Sequence, residues 1–168
     1  VASLPVAGNS TAVVTHIGLT DTMHPDFGTV WEGAPIGIPY VAVPNGQTML
    51  PIDFSSLDGW PEESDAGPYP IPPGAPIEGG TASQGDRHVL TIRQGSCELY
   101  ELYYSWPHGT GPSSGPNCNE PGGWCGASGA VYDLASNALR PAGWTSADAA
   151  GLPIFPGLAR WGEVDLGE

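Results

Sequence analysis

The sequence predicts an all-β, loop-rich fold: an antiparallel β-sandwich of the jelly-roll kind, with one or two short helices near the C-terminus. Twenty-five Gly and 19 Pro make about a quarter of the 168 residues and interrupt nearly every stretch of about ten residues. Six Trp, six Tyr and 40% hydrophobic residues argue against disorder and for a packed core. Residues 85–104 alternate apolar and polar side chains, as half-buried strands do. We expect one β-rich domain over residues 1–168.

The elements follow from local signals taken in chain order. Strands are predicted at residues 12–17, 36–43 and 49–54, the last two forming a hairpin about the turn at 44–47. Pro39 places its strand at an edge or at a bulge. Residues 55–85 are irregular, and the Pro-rich run 68–73 predicts an extended polyproline II segment on the surface. A strand is predicted at residues 129–134, a short helical turn at 145–151 and a second short helix from Pro156 to about Val164.

The central hairpin joins its strands through a turn at Gln94-Gly95. A two-residue or a four-residue loop there pairs Ile92 with Cys97, which sets His88 opposite Glu101. Side chains on one face of a hairpin alternate along each strand. One apolar face is therefore predicted, with the other face mixed and half exposed. The members of the apolar face are His88, Leu90, Ile92, Cys97, Leu99, Glu101 and Tyr103.

The predicted His88–Glu101 pair is the main candidate site. Directly opposed Cβ atoms lie about 5 Å apart, and a carboxylate beside an imidazole raises the His pKa and orients the ring. This arrangement suits acid–base catalysis or metal binding, and it equally suits a structural pair closing one end of the core. Asp133, within a predicted strand, and Asp86, just before the hairpin, complete the set of candidate catalytic residues.

Two further regions offer substrate-binding candidates. His24 and Asp26 lie two residues apart in a loop, where they would contact one ligand or simply form a turn. Residues 105–127 form a long Gly/Ser/Pro/Asn loop that holds Trp106 and Trp124, and a loop of this length is usually functional or disordered. The two indole rings would stack on sugar rings or serve as packing anchors.

The cysteines and the charge indicate a compartment. Cys118 and Cys125 flank a short loop and can close a disulfide ring, which implies an oxidising environment. Cys97 is predicted to be a buried free thiol, and the cysteine spacing matches no zinc motif. Eighteen acidic residues, four Arg and no Lys give a net charge of −14, which excludes nucleic acid and anionic membranes as favoured partners. No apolar stretch is long enough for a membrane span. We therefore expect a secreted protein, extracellular or periplasmic.

Several stretches together resemble a family of secreted bacterial proteins of unassigned function. The resemblance rests on residues 85–90, 97–102, 128–134 and 136–154, with further matches at 24–28 and 68–73. It carries no catalytic residues across. Since the proteins it resembles continue beyond this C-terminus, the resemblance implies that the chain is the N-terminal part of a larger β domain.

Three functions fit these observations. The first is hydrolysis or binding of an extracellular polysaccharide, with Glu101 as acid or base and Asp133 as its partner, because glycosidases need two carboxyl groups. The second is a structural protein of an extracellular layer or filament, in which a second chain completes the domain. The third is a divalent-metal-binding module, with nitrogen and oxygen ligands from His88, Glu101, His24 and Asp26.

Overall fold

A computed structural model describes residues 8–20, 30–31, 34–160, 162 and 165. The chain separates into two compact units, one of residues 1–28 and 159–168 and the other of residues 29–158. In the described residues the fold is mostly strands in two mixed sheets, rich in loops, with a single α-helix. None of these residues forms a helix with the length and apolar character needed to cross a membrane.

The helix α1, Ser10–Ile17, lies where a strand was predicted over residues 12–17, so that prediction is wrong. A short apolar run such as Ala12-Val13-Val14 cannot be assigned to helix or strand by periodicity alone. Here the backbone groups are paired within the segment, and the Gly18 N–H closes the last turn on the Val14 carbonyl. The helix has no buried residue, and His16 is exposed in its last turn.

A four-stranded sheet dominates the larger unit. Its strands are β3 (Tyr40–Val43), β5 (Val89–Arg93), β6 (Glu98–Tyr103) and β9 (Ser128–Asp133), in the order β3-β5-β6-β9. The β5–β6 and β6–β9 pairs are antiparallel, whereas β3 runs parallel to β5. The predicted hairpin at residues 85–104, the edge position of the Pro39 strand and the strand near residues 129–134 are confirmed. The predicted purely antiparallel arrangement is wrong, and the jelly-roll arrangement stays a prediction.

The register of the central hairpin differs from the predicted one by two residues. Ile92 lies opposite Leu99, and Leu90 lies opposite Glu101, so the predicted Ile92–Cys97 and His88–Glu101 pairs are wrong. The reason is the loop: all of residues 94–97 belong to it, with Gly95 at φ 90° and Cys97 at φ 55°. Cys97 is therefore an exposed free thiol and not a buried one.

Both faces of this sheet are buried. A shift of two residues leaves every side chain on its predicted face, and Leu90, Leu99 and Glu101 are indeed fully buried. The other face, predicted to be half exposed, packs Val89, Tyr100 and Leu102 into the main core. Tyr69 and Ile71 belong to the same core. The prediction that the Pro-rich run 68–73 lies on the surface is therefore wrong. The main core consists of Phe54, Tyr69, Ile71, Ala75, Ile77, Val89, Tyr100, Leu102 and Trp124.

A second sheet forms from segments predicted to be loop or hairpin. Its strands are β4 (Ile52–Asp53), β7 (Trp106–Pro107) and β8 (Trp124–Cys125), in the order β4-β8-β7. Because β4 pairs with β8 and β3 pairs with β5, the predicted hairpin between residues 36–43 and 49–54 does not form. The predicted Cys118–Cys125 disulfide is present and joins β8 to the loop before it.

The remaining elements are short. The strands β1 (Val30–Trp31) and β2 (Ala34–Pro35) form an antiparallel pair. Residues 145–151, predicted as a helical turn, form turns without a helix. The predicted helix from Pro156 begins as a 3-10 turn, Phe155–Gly157, and residues 161, 163 and 164 of that prediction lie outside the described residues.

Candidate functional site

A pocket of about 660 Å³ lies beside the start of β5 and the end of β6. One part of its lining comes from residues 145–158, here called the cover segment. The rest of the lining comes from residues just before β3 and β5, from the end of β6 and from the irregular segment 55–85. Those residues are Ile38, Trp60, Asp86, His88 and Tyr103.

Aromatic rings form one wall of the pocket. Trp60 is 46% exposed, and its ring centroid lies 6.4 Å from that of Tyr103. The Trp60 backbone is fixed by a hydrogen bond from its N–H to the Ala127 carbonyl. Tyr103 in turn packs near the His88 ring, with 5.6 Å between centroids. The pocket lining therefore combines a half-exposed indole side chain with polar groups such as Asp86 and His88.

His88 is buried and both of its ring nitrogens face oxygen acceptors. Nδ1 lies 2.6 Å from Oε2 of Glu78, and Nε2 lies 2.9 Å from the Ala147 carbonyl oxygen. Burial by itself lowers the pKa of His88, but the hydrogen bonds to Glu78 and Ala147, with the charges of Glu78 and Asp86, raise it above its ordinary value. In its protonated form the ring donates to both acceptors at once, and the bond from Nε2 to Ala147 ties the cover segment to the start of the sheet.

Glu101 holds the cover segment at a second point. Its two carboxylate oxygens accept hydrogen bonds from the N–H groups of Ile154 and Phe155, each at 2.9 Å. Burial raises the pKa of Glu101 to about 7, although these two bonds and the nearby charge of His88 lower it. The side chain is fully buried and is not part of the pocket lining, so it acts on the pocket by holding the cover segment.

Asp148 shapes the cover segment itself. Its Oδ1 accepts hydrogen bonds from the Ser146 hydroxyl and from the N–H groups of Ala150 and Leu152. Ser146 also donates to the Leu152 carbonyl. Since Asp148 and Ser146 both line the pocket, this turn places a carboxylate and a hydroxyl on the wall that the cover segment provides.

The predicted site residues do not all meet. Asp86 and His88 line the pocket, and Glu101 lies buried under its cover segment. Asp133 is exposed and lies opposite Glu98 on the neighbouring strand. Glu98 is three residues from Glu101, so Asp133 and Glu101 do not form a carboxyl pair. Trp106 and Trp124 are buried as packing anchors, 2% and 8% exposed. His24 and Asp26 lie outside the described residues.

Sequence reasoning missed four residues of the pocket region: Trp60, Glu78, Ser146 and Asp148. Trp60 stands between Gly59 and Pro61 in the long irregular segment 55–85. Long segments without regular structure often carry binding residues, and an aromatic residue flanked by turn residues was the available signal. Glu78 had no such signal, because its position beside His88 depends on a tertiary contact.

The predicted metal ligands are likewise rearranged. Glu101 uses both oxygens for backbone N–H groups, and the His24 and Asp26 part of the predicted set lies outside the described residues. Glu78, Asp86 and His88 instead bring one ligand atom each to within 4.8 Å of one another. In the described part of the chain, these three residues form the candidate group for a cation.

Comparisons with protein-family models, curated protein sequences and solved structures found no match to this chain.

Proposed function

We propose that the protein is a secreted carbohydrate-binding protein and that it holds a saccharide in the pocket under the cover segment. The half-exposed Trp60 side chain in the pocket lining beside Tyr103 carries this proposal, because an indole face matches the C–H face of a pyranose ring. Trp60 replaces Trp106 and Trp124 in the stacking role expected from the sequence.

The polar lining supports the same ligand class. Binding pockets usually combine an apolar wall with a few polar groups that fix orientation. Here the carboxylates of Asp86 and Asp148 stand ready to accept hydrogen bonds from sugar hydroxyls. The disulfide is compatible with an oxidising, extracellular compartment, where such ligands occur.

Affinity electrophoresis on native gels tests the proposal, and the net charge of −14 makes the protein migrate well. Gels containing xylan, mannan, galactan, pectin or a soluble β-glucan should slow the wild-type protein in at least one case. Trp60→Ala should weaken that binding roughly tenfold or more, because an accessible aromatic anchor is lost. Leu139→Ala is the matched control, since Leu139 is an exposed apolar residue outside this pocket.

Two outcomes contradict the proposal: unchanged migration in every gel, or equal binding by the Trp60→Ala variant and the wild type. Reducing ends are assayed in the same samples. Their release by the wild type and not by Asp86→Asn would extend the proposal from binding to hydrolysis, with Asp86 and Asp148 as the two carboxyl groups.

A further inference from the structure

Three side chains beside the pocket form a compact set of metal-ligating atoms. One ring nitrogen of His88 and one carboxylate oxygen each from Glu78 and Asp86 lie within 4.8 Å of one another. Asp86 and His88 also line the pocket, whereas Glu78 approaches from the preceding loop. The set therefore borders the pocket and shares Asp86 with the saccharide site proposed above, but metal binding can be measured without any saccharide.

The chain between Asp86 and His88 is rigidly anchored. Arg87 adopts φ 51°, and its buried guanidinium lies 3.6 Å from the centroid of Trp106. The guanidinium donates hydrogen bonds to the carbonyls of Ser105, Thr81 and Ser83. A fixed backbone under the ligand-bearing residues is what a preorganised site requires.

Glu78 is also tied to the same strand. Its backbone N–H donates to the His88 carbonyl at 3.0 Å, and its Oε2 accepts from the His88 N–H at 3.3 Å. The Glu78 carboxylate is thus held beside Nδ1 of His88 by hydrogen bonds to the His88 backbone as well as by the bond to the imidazole ring.

The other ring nitrogen of His88 is held as it is in many metal sites. Metal-ligating histidines usually donate their second ring N–H to a carbonyl or carboxylate, which fixes the tautomer and the ring orientation. Nε2 of His88 donates to the Ala147 carbonyl, so Nδ1 is the nitrogen directed at Glu78 and available to a cation.

We propose that Glu78, Asp86 and His88 bind a divalent transition-metal ion such as Zn²⁺. One imidazole and two carboxylates suit this ion, and three protein ligands leave a fourth position for water or another ligand. Zinc bonds of about 2.0–2.2 Å in tetrahedral geometry set ligand atoms roughly 3.3 Å apart. The Nδ1–Oε2 separation of 2.6 Å would widen slightly, and the exposed Asp86 side chain would rotate inward. Nδ1 releases its proton to solvent on binding.

Isothermal titration of the EDTA-treated, dialysed protein with ZnCl₂ tests the site, at pH 7.5 in 150 mM NaCl to screen weak binding by surface acids. We expect one Zn²⁺ per chain and a loss of affinity of about tenfold or more in both Asp86→Asn and Glu78→Gln. Asp58→Asn, a change at an exposed acid outside the cluster, should bind as the wild type does.

Nitrogen NMR of the histidine rings identifies the ligand atom without requiring any variant to fold. Zn²⁺ should move the Nδ1 signal of His88 and leave that of His108, which is exposed elsewhere, in place. The proposal is overturned if stoichiometric binding is absent, if Asp86→Asn and Asp58→Asn bind Zn²⁺ equally, or if the His88 signal does not move.

Discussion

At the scale of single residues, two buried titratable groups tie the cover segment to the central sheet. His88 bonds the Ala147 carbonyl, and Glu101 bonds the N–H groups of Ile154 and Phe155. Both were identified from the sequence, but as partners of each other. Their partners in the cover segment lie more than 50 residues away along the chain, which no local pattern could reveal.

Glu101 makes the stability of the protein depend on pH. Burial raises the pKa of Glu101 from its ordinary value of 4.5 to about 7. The charge of Asp148 also raises this pKa, whereas the charge of His88 lowers it. The folded state therefore binds more protons than the unfolded state between these values. The protonated Glu101 side chain therefore stabilises the folded state fully below pH 4.5, and this contribution to the free energy of unfolding is lost as the pH rises through 7. The contribution is roughly 3 kcal/mol.

Urea unfolding at pH 4.5, 6 and 8 measures this dependence, and Glu101→Gln should show a clearly smaller loss of stability with rising pH. Equal pH dependence in the two proteins would contradict the assignment. Carbon NMR of the Glu101 carboxyl group in the wild type gives its pKa directly, should the variant not fold.

At the scale of elements, the central sheet is buried on both faces because other segments cover each one. Leu99 and Ala130 pack with Tyr132 on one side, and Val89 and Leu102 pack in the main core on the other. A strand buried on both faces does not need to alternate strictly between apolar and polar residues. The mixed composition of the second face was therefore misread as exposure.

Gly129 on β9 shows how closely this core is packed. A Cβ atom there would lie 2.4 Å from Cζ of Phe54 and 2.6 Å from the Tyr69 hydroxyl. Gly129→Ala should lower the free energy of unfolding by about 1–3 kcal/mol, the usual effect of overpacking. Gly46→Ala is the control, because a Cβ at that turn position meets nothing within 4 Å. Urea denaturation measures the free energy of unfolding of both variants, and equal values would contradict close packing at Gly129.

At the scale of the whole molecule, the acidic excess is left largely uncompensated. Eighteen acidic residues face four Arg, and Arg87 is buried against carbonyl groups and not against a carboxylate. Arg93 and Arg140 form ion pairs with Glu98 and Asp65. Self-repulsion among the remaining carboxylates destabilises the compact state, and salt screens it.

Added salt should therefore stabilise the protein more at high pH than at low pH. At pH 8, raising NaCl from 20 mM to 500 mM should increase the melting temperature by about 2–4 °C, corresponding to roughly 1 kcal/mol. At pH 4, where many carboxylates are protonated, the increase should be smaller. Scanning calorimetry measures the salt-induced change in melting temperature at each pH. An equal change at the two pH values, or a larger one at pH 4, would show that repulsion between carboxylates does not limit stability.

Local signals in the sequence were sufficient to predict the β-rich, loop-rich class, the hairpin at residues 85–104, the edge strand after Pro39 and the Cys118–Cys125 disulfide. These features depend on short-range signals: alternation with a period of two, the position of a proline and the closeness of two cysteines along the chain. The assignment of side chains to faces survived for the same reason, since a shift of two residues does not change the face.

The register, the burial of both faces and the composition of the pocket depend on tertiary contacts. The register depends on where the loop is centred, and the loop of residues 94–97 is centred one residue later than predicted because it includes Cys97. Trp60 contacts Tyr103, Glu78 contacts His88, and Asp148 lines the same pocket as Trp60. These arrangements join separate segments, and their free energy comes from packing and not from local pattern. The carboxylate beside His88 is consequently Glu78, and the carboxylate under the cover segment is Glu101.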